Sequence, residues 1–166
     1  MPRPHLVSSL NTSPALNSSL FFTLLLLNPT LITPHSSVSG SIFASPTASQ
    51  IFSAIRLCQP SPSSSHPSPG TLIICGNYTG DILNAGLAIT RATAAGYKVR
   101  FIPVGDDVAV GRKKGGKVGR RGLSAHVVGL KTVCALAERG LGLDKIGEIM
   151  GYIASNCGTI AVAFDR

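Results

Sequence analysis

The sequence predicts an α/β fold, an incomplete parallel-type sheet with flanking helices. Three observations predict it. Thr71–Cys75 (TLIIC) is a short, almost wholly apolar run, the composition of a strand covered on both faces of a parallel sheet. A helical stretch and a second strand-like run, Lys98–Val104 (KVRFIPV), follow within about 35 residues, the span of a right-handed βαβ crossover. Two more helical stretches then lead to a third apolar run, Thr159–Phe164 (TIAVAF).

Each element has its own signal. Residues 1–39 show no sustained helical or strand period, so they receive no element and read as a disordered leader. Residues 40–166 read as one partial domain. In it, Ser45 suits an N-cap and Pro46 a first helical position, opening a short amphipathic helix with Ile51, Phe52 and Ile55 on its apolar face. Gln59–Pro69 (QPSPSSSHPSP) is loop composition, and Gly76–Gly80 (GNYTG) is turn chemistry. Asp81–Ala95 reads as helix, with Ile82, Gly86 and Ile89 on one stripe and Gly96 as its stop. Gly105–Gly122 is a loop rich in glycine and cations. Leu123–Arg139 and Leu143–Ser155 read as helices split by Gly140-Leu141-Gly142.

Charge divides the chain in the same place. Of 166 residues, 15 are Lys or Arg and 7 are Asp or Glu, a formal charge of +8. Only Arg3 and Arg56 are charged in residues 1–80; every acid lies beyond them. The length bounds the chain to about one core, which excludes a large multidomain enzyme. Cys58, Cys75, Cys134 and Cys157 are far apart with no Cys-x-x-Cys, and His5, His35, His66 and His126 are as scattered. Neither a disulfide framework nor a zinc site is expected, so the thiols read as free and largely buried. Leu20–Leu27 (LFFTLLLL) is far short of the roughly 20 residues that span a bilayer. A cytoplasmic chain is expected, with organelle targeting by the acid-free leader as the alternative.

Three places could carry chemistry. Asp81 lies where a buried strand hands over to a helix, the edge of a parallel sheet at which ligands collect. The helix dipole there would favour its ionised form, suiting it to accept hydrogen bonds from hydroxyls rather than to act as a base. Helix capping is the competing role. Gly111–Lys117 (GRKKGGK) has the spacing of a phosphate loop, but Val118 stands where the Mg²⁺-binding hydroxyl would be, and no strand leads directly into it. It is rejected as an ATP site. Arg112, Lys113, Lys114, Lys117, Arg120 and Arg121 form a cationic run that reads as a solvated loop, or as a contact for a phosphorylated ligand or a partner subunit. No aromatic residue interleaves it to stack on bases, so nucleic acid is not the expected partner.

NYTGD (Asn77–Asp81), VGDDVAVGR (Val104–Arg112) and VGRRGL (Val118–Leu123), in this order, resemble the substrate-binding domain of the dihydroxyacetone (glycerone) kinase family, as does FASPTASQIFSAIR (Phe43–Arg56). The resemblance runs over roughly residues 40–166. It implies an α/β domain, commonly homodimeric, in an enzyme that phosphorylates dihydroxyacetone or glyceraldehyde. It implies ATP and Mg²⁺ bound by a separate helical domain, and possible pairing of this chain with a full-length family member. It implies that Asp81 contacts substrate hydroxyls. The family's lysine before NYTGD is replaced by Gly76, its GGGSGHEP loop has no counterpart in residues 1–38, and its carbonyl-trapping histidine lies beyond the strand matching Thr159–Phe164. His126 receives no such role. No catalytic residue is identified, and the chain, read as truncated at both ends, is expected to be inactive alone.

Overall fold

The computed structural model describes the strands Thr23–Leu27 and His35–Ser39 together with residues 44–65, 68–111 and 119–162. Eight elements follow in chain order: β1 (Thr23–Leu27), β2 (His35–Ser39), α1 (Ala48–Cys58), β3 (Thr71–Gly76), α2 (Thr79–Ala94), β4 (Val99–Val104), α3 (Ala125–Glu138) and α4 (Leu143–Asn156). The α/β class expected from the sequence is what the chain adopts.

β3 is the axis of the fold, and all six of its residues are buried. Because successive strand side chains point to opposite faces, its apolar run divides between two cores. Ile73 and Cys75 pack with Ile51, Ala54 and Ile55 of α1 and with Ala85, Ala88 and Ala92 of α2. Leu72 and Ile74 pack with Val133 and Ala137 of α3 and with Leu143, Ile146 and Met150 of α4. Burying each such Leu or Ile contributes roughly 1.5–3 kcal/mol. The result is three layers, a helix pair on either side of the sheet.

The sheet order is β2-β1-β3-β4. β3 and β4 run parallel, in register from Thr71↔Val99 to Gly76↔Val104, joined by the α2 crossover as the sequence predicts. The other side of β3 differs from expectation. Part of the stretch read as an unstructured leader supplies two strands, β1 antiparallel to β3 and β2 antiparallel to β1. Thr23–Leu27 is too short for periodicity to register, but β3 is buried on both faces and offers it an edge to pair with. Residues 1–22 of that segment lie outside the described residues.

β4 forms an edge among the described strands, and its sequence fits that place. Thr71 N–H donates to Lys98 O and Asn77 N–H to Val104 O, so the even-numbered residues of β4 bond to β3. Its odd-numbered residues point away, and Pro103 is one of them. A proline that lacks an outward N–H removes no ladder bond and blunts the edge against a further strand.

Three other expectations are corrected. Thr47, not Ser45, caps α1: its hydroxyl accepts from Gln50 N–H while the Gln50 side chain accepts from Thr47 N–H, a complete capping box. In α2 the buried stripe is Asp81, Ala85, Ala88 and Ala92, one position back from the expected one, and Gly86 is exposed. Small alanines let α2 lie close on α1, and Ile82 and Ile89 flank the contact. Thr159–Phe164 does not form a strand over its described part. A single bridge joins Thr159 to Asp107, and Ile160 and Val162 beyond it are exposed. β4 has ended at Val104, so no ladder exists there to extend; residues 163–166 lie outside the described residues.

Candidate functional site at the strand ends

Asp81 is the third residue of α2 and begins that helix's buried stripe, which turns it inward. It is 1% exposed. The cap position belongs to Tyr78, whose side chain makes no cap bond, so Asp81 is not the helix cap. Neither carboxylate oxygen has a hydrogen-bond partner. The Ser45 side chain lies against the helix start, close enough that a Cβ on Gly80 would stand 2.6 Å from its Oγ. It eases the Asp81 charge slightly but falls short of hydrogen-bond geometry. Burial therefore dominates and pushes the Asp81 pKa up, with Ser45 acting weakly against it. This reverses the expectation that the helix dipole would depress it: removing the group from water costs more than the dipole returns.

The turn that carries Asp81 is bolted to the second motif. Asn77 Nδ2 donates to Arg120 O at 2.8 Å, Arg121 Nη1 donates to Asn77 O at 3.2 Å, and the Tyr78 hydroxyl donates to Gly122 O at 3.2 Å. The Arg121 guanidinium also lies over the Tyr78 ring, 5.6 Å from its centroid. NYTGD and VGRRGL thus form one structural unit. Two cations of the basic run, Arg120 and Arg121, bracket the turn instead of extending freely into solvent. Residues 112–118, with the rest of that run and most of GRKKGGK, lie outside the described residues.

Asp106 holds the other end of this unit, a role the sequence reading missed. It is fully buried. Its carboxylate accepts from Leu123 N–H at 2.6 Å, from Ala125 N–H at 2.8 Å at the start of α3, and from the Thr159 hydroxyl. Burial alone would raise its pKa, but the Thr159 hydroxyl and the backbone N–H groups together outweigh it and hold the pKa low. The available signal was an acid just past a strand; Ser124 at the N-cap of α3 hid the need for it, since a serine there looks able to cap the helix but makes no side-chain cap bond. His126, in the first turn of α3, is 7% exposed with Nε2 unpartnered; burial pushes its pKa down and the nearby Asp106 charge opposes this. Cys58 and Cys75 are buried, and Cys134 and Cys157 half-buried.

Residues 33–166 match the Dak1 domain family model. The chain is 50% identical to dihydroxyacetone kinase 2 of Saccharomyces cerevisiae over 129 residues, 77% of this chain and 20% of that protein. It is 43% identical to triokinase/FMN cyclase of Mus musculus over 126 residues, 76% of this chain and 21% of that protein. The crystal structure of the dihydroxyacetone kinase from C. freundii in complex with AMP-PNP and Mg²⁺ superposes with a TM-score of 0.61 at 35% identity, covering 72% of this chain and 20% of that one. The chain spans about a fifth of the length of the curated relatives it matches. With the parallel β3–β4 pair and the NYTGD turn in place, this chain belongs to the Dak1 domain family of dihydroxyacetone kinases and triokinases.

Proposed function

We propose that this chain supplies part of the substrate-binding domain of a triose kinase, with residues 40–166 as its core, and that Asp81 binds the hydroxyls of dihydroxyacetone or glyceraldehyde. One observation carries the reading. A carboxylate 1% exposed with neither oxygen hydrogen-bonded is costly to keep, and a polyol would satisfy both oxygens. Its work is positioning: it fixes a hydroxyl in one orientation, and in a closed, water-poor site such a bond gains strength.

The relatives' names and the AMP-PNP–Mg²⁺ complex support ATP and Mg²⁺ at the level of the family. The described residues do not fit that group. No three of their His, Cys, Asp or Glu side chains come together as metal ligands, and the GRKKGGK segment has Val118 in place of a hydroxyl. Phosphoryl transfer is therefore not assigned to the described residues. No helix among the described residues is long and apolar enough to cross a membrane. A second reading, pairing with another copy or with a full-length relative, is favoured by Ile160 and Val162, 74% and 84% exposed beyond the Thr159 bridge.

Titration calorimetry with dihydroxyacetone tests the first reading. The chain should bind it, and Asp81→Asn should bind at least about tenfold more weakly, the loss of one charge-assisted hydrogen bond. Equal affinity would overturn it. Sedimentation at rising concentration tests the second, and a monomer throughout would count against self-pairing.

A further inference from the structure

Asp81 faces the α1–α2 layer. At the same strand ends, on the α3–α4 side, lies a cavity of about 380 Å³ lined by Asn77, Pro103, Gly105, Arg120, Ala154 and Ser155. That size falls within the roughly 300–1,000 Å³ of small-molecule sites, and the carboxyl ends of parallel strands are where such sites gather.

The lining has a defined polarity. Among the described residues that line it, Arg120 is the one charged side chain. Arg120 is fixed at two points, Nε donating to Val110 O at 2.8 Å and its carbonyl accepting from Asn77 Nδ2. Gly105 makes room for it, since a Cβ there would stand 2.8 Å from Arg120 O. Among the described residues neither Nη nitrogen of Arg120 has a hydrogen-bond partner, and Asp106, the nearest buried acid in sequence, is spent on Leu123, Ala125 and Thr159. A planar fork held this way suits an oxyanion. The opposite wall is the last turn of α4, through Ala154 and Ser155, where the helix carries partial negative charge and favours hydrogen-bond donors.

The geometry points to a second small-ligand site here, for a phosphate monoester of a small polyhydroxy compound, with the phosphate on Arg120 and the hydroxyls toward the end of α4. Asp81 is not among the residues that line this cavity. Arg120→Gln and Ser155→Leu leave the Asp81 side chain in place, so failure here and failure of the triose reading are told apart by which ligand stops binding.

The test uses the full chain at constant ionic strength, followed by amide shifts in ¹H–¹⁵N spectra. Glycerol 3-phosphate should shift Gly105, Arg120 and Ser155 saturably, inorganic phosphate should bind more weakly, and glycerol should not bind. Arg120→Gln should weaken glycerol 3-phosphate binding at least tenfold. So should Ser155→Leu, which fills the cavity from an exposed helical position and decides the matter if Arg120→Gln does not fold. Replacing Lys113, Lys114 and Lys117 together by Gln should leave binding intact. Loss of binding in that triple variant, unchanged affinity in Ser155→Leu, or inorganic phosphate binding as tightly as the monoester would overturn the proposal.

Discussion

Gly122 rests directly on Gly76: a Cβ on Gly122 would stand 2.6 Å from the Gly76 Cα and 2.6 Å from the Val104 carbonyl oxygen. Both obstacles are backbone, so neither can swing aside. Gly122→Ala is expected to destabilise the chain by about 1–3 kcal/mol, as overpacking does. Gly86→Ala is the control, an exposed helical site with nothing within 4 Å of the added carbon. It should stabilise by about 0.5–1 kcal/mol. Urea denaturation of both variants measures the contrast.

Asp81 sets up an opposition between stability and binding. Its folded pKa lies above the unfolded value of 3.8, so the protonated group favours the fold below that pH and the advantage is lost as pH rises through the folded pKa. Asp81→Asn should therefore gain stability over the native chain near pH 7, by about 1–2 kcal/mol, and gain little near pH 3. Equal gains at both pH values would mean that ionisation is not the cost.

Asp106 has the opposite sign. Its folded pKa lies below 3.8, so its contribution is present above that pH and disappears as pH falls through the folded value. Asp106→Asn should cost about 3 kcal/mol near neutrality, since hydrogen bonds to a charged group contribute roughly 1.5–3 kcal/mol each. The variant's denaturation midpoint should also change less than the native chain's when the pH is lowered past 3.8.

The Cys75 and Cys134 thiols should be inert. Burial, helped by the Asp81 charge, pushes the Cys75 pKa to about 12; burial and Glu138 push Cys134 to about 11. Because the thiolate is the reactive form, iodoacetamide at about pH 8 should modify neither until urea unfolds the chain. Peptide mapping of the alkylated protein checks this.

The start of α1 separates two serine/threonine roles. Thr47→Ala should cost about 1 kcal/mol through loss of the capping box. Ser45→Ala should leave the helix unaffected, and circular dichroism melts distinguish the two.

What the sequence revealed and what it hid have separate physical causes. β3 was legible because a strand buried on both faces must be apolar at every position, and TLIIC is. α2 was legible in extent but not in rotation: Ile82, Gly86 and Ile89 look like a stripe, yet alanines govern how closely two helices approach. Asp81 was found by its place at the strand–helix junction, but its buried, unpartnered state depends on that rotation. The three-way bond of Asp106 joins residues 17, 19 and 53 positions away, separations over which periodicity carries no information. β1 and β2 escaped notice because five-residue strands have too few alternations to stand out beside Ser- and Pro-rich neighbours.

The bolts between Asn77, Tyr78, Arg120, Arg121 and Gly122 reach across 43 and 44 residues. Contacts so distant along the chain close late in folding, after helices and adjacent strands have formed, because the intervening segment must first lose its freedom. During synthesis α2 can therefore coil as soon as it leaves the ribosome, while the junction that orients Asp81 waits until Arg120, Arg121 and Gly122 have been made. A nascent chain arrested at residue 111 would carry every atom of NYTGD and still lack the clasp that shapes it.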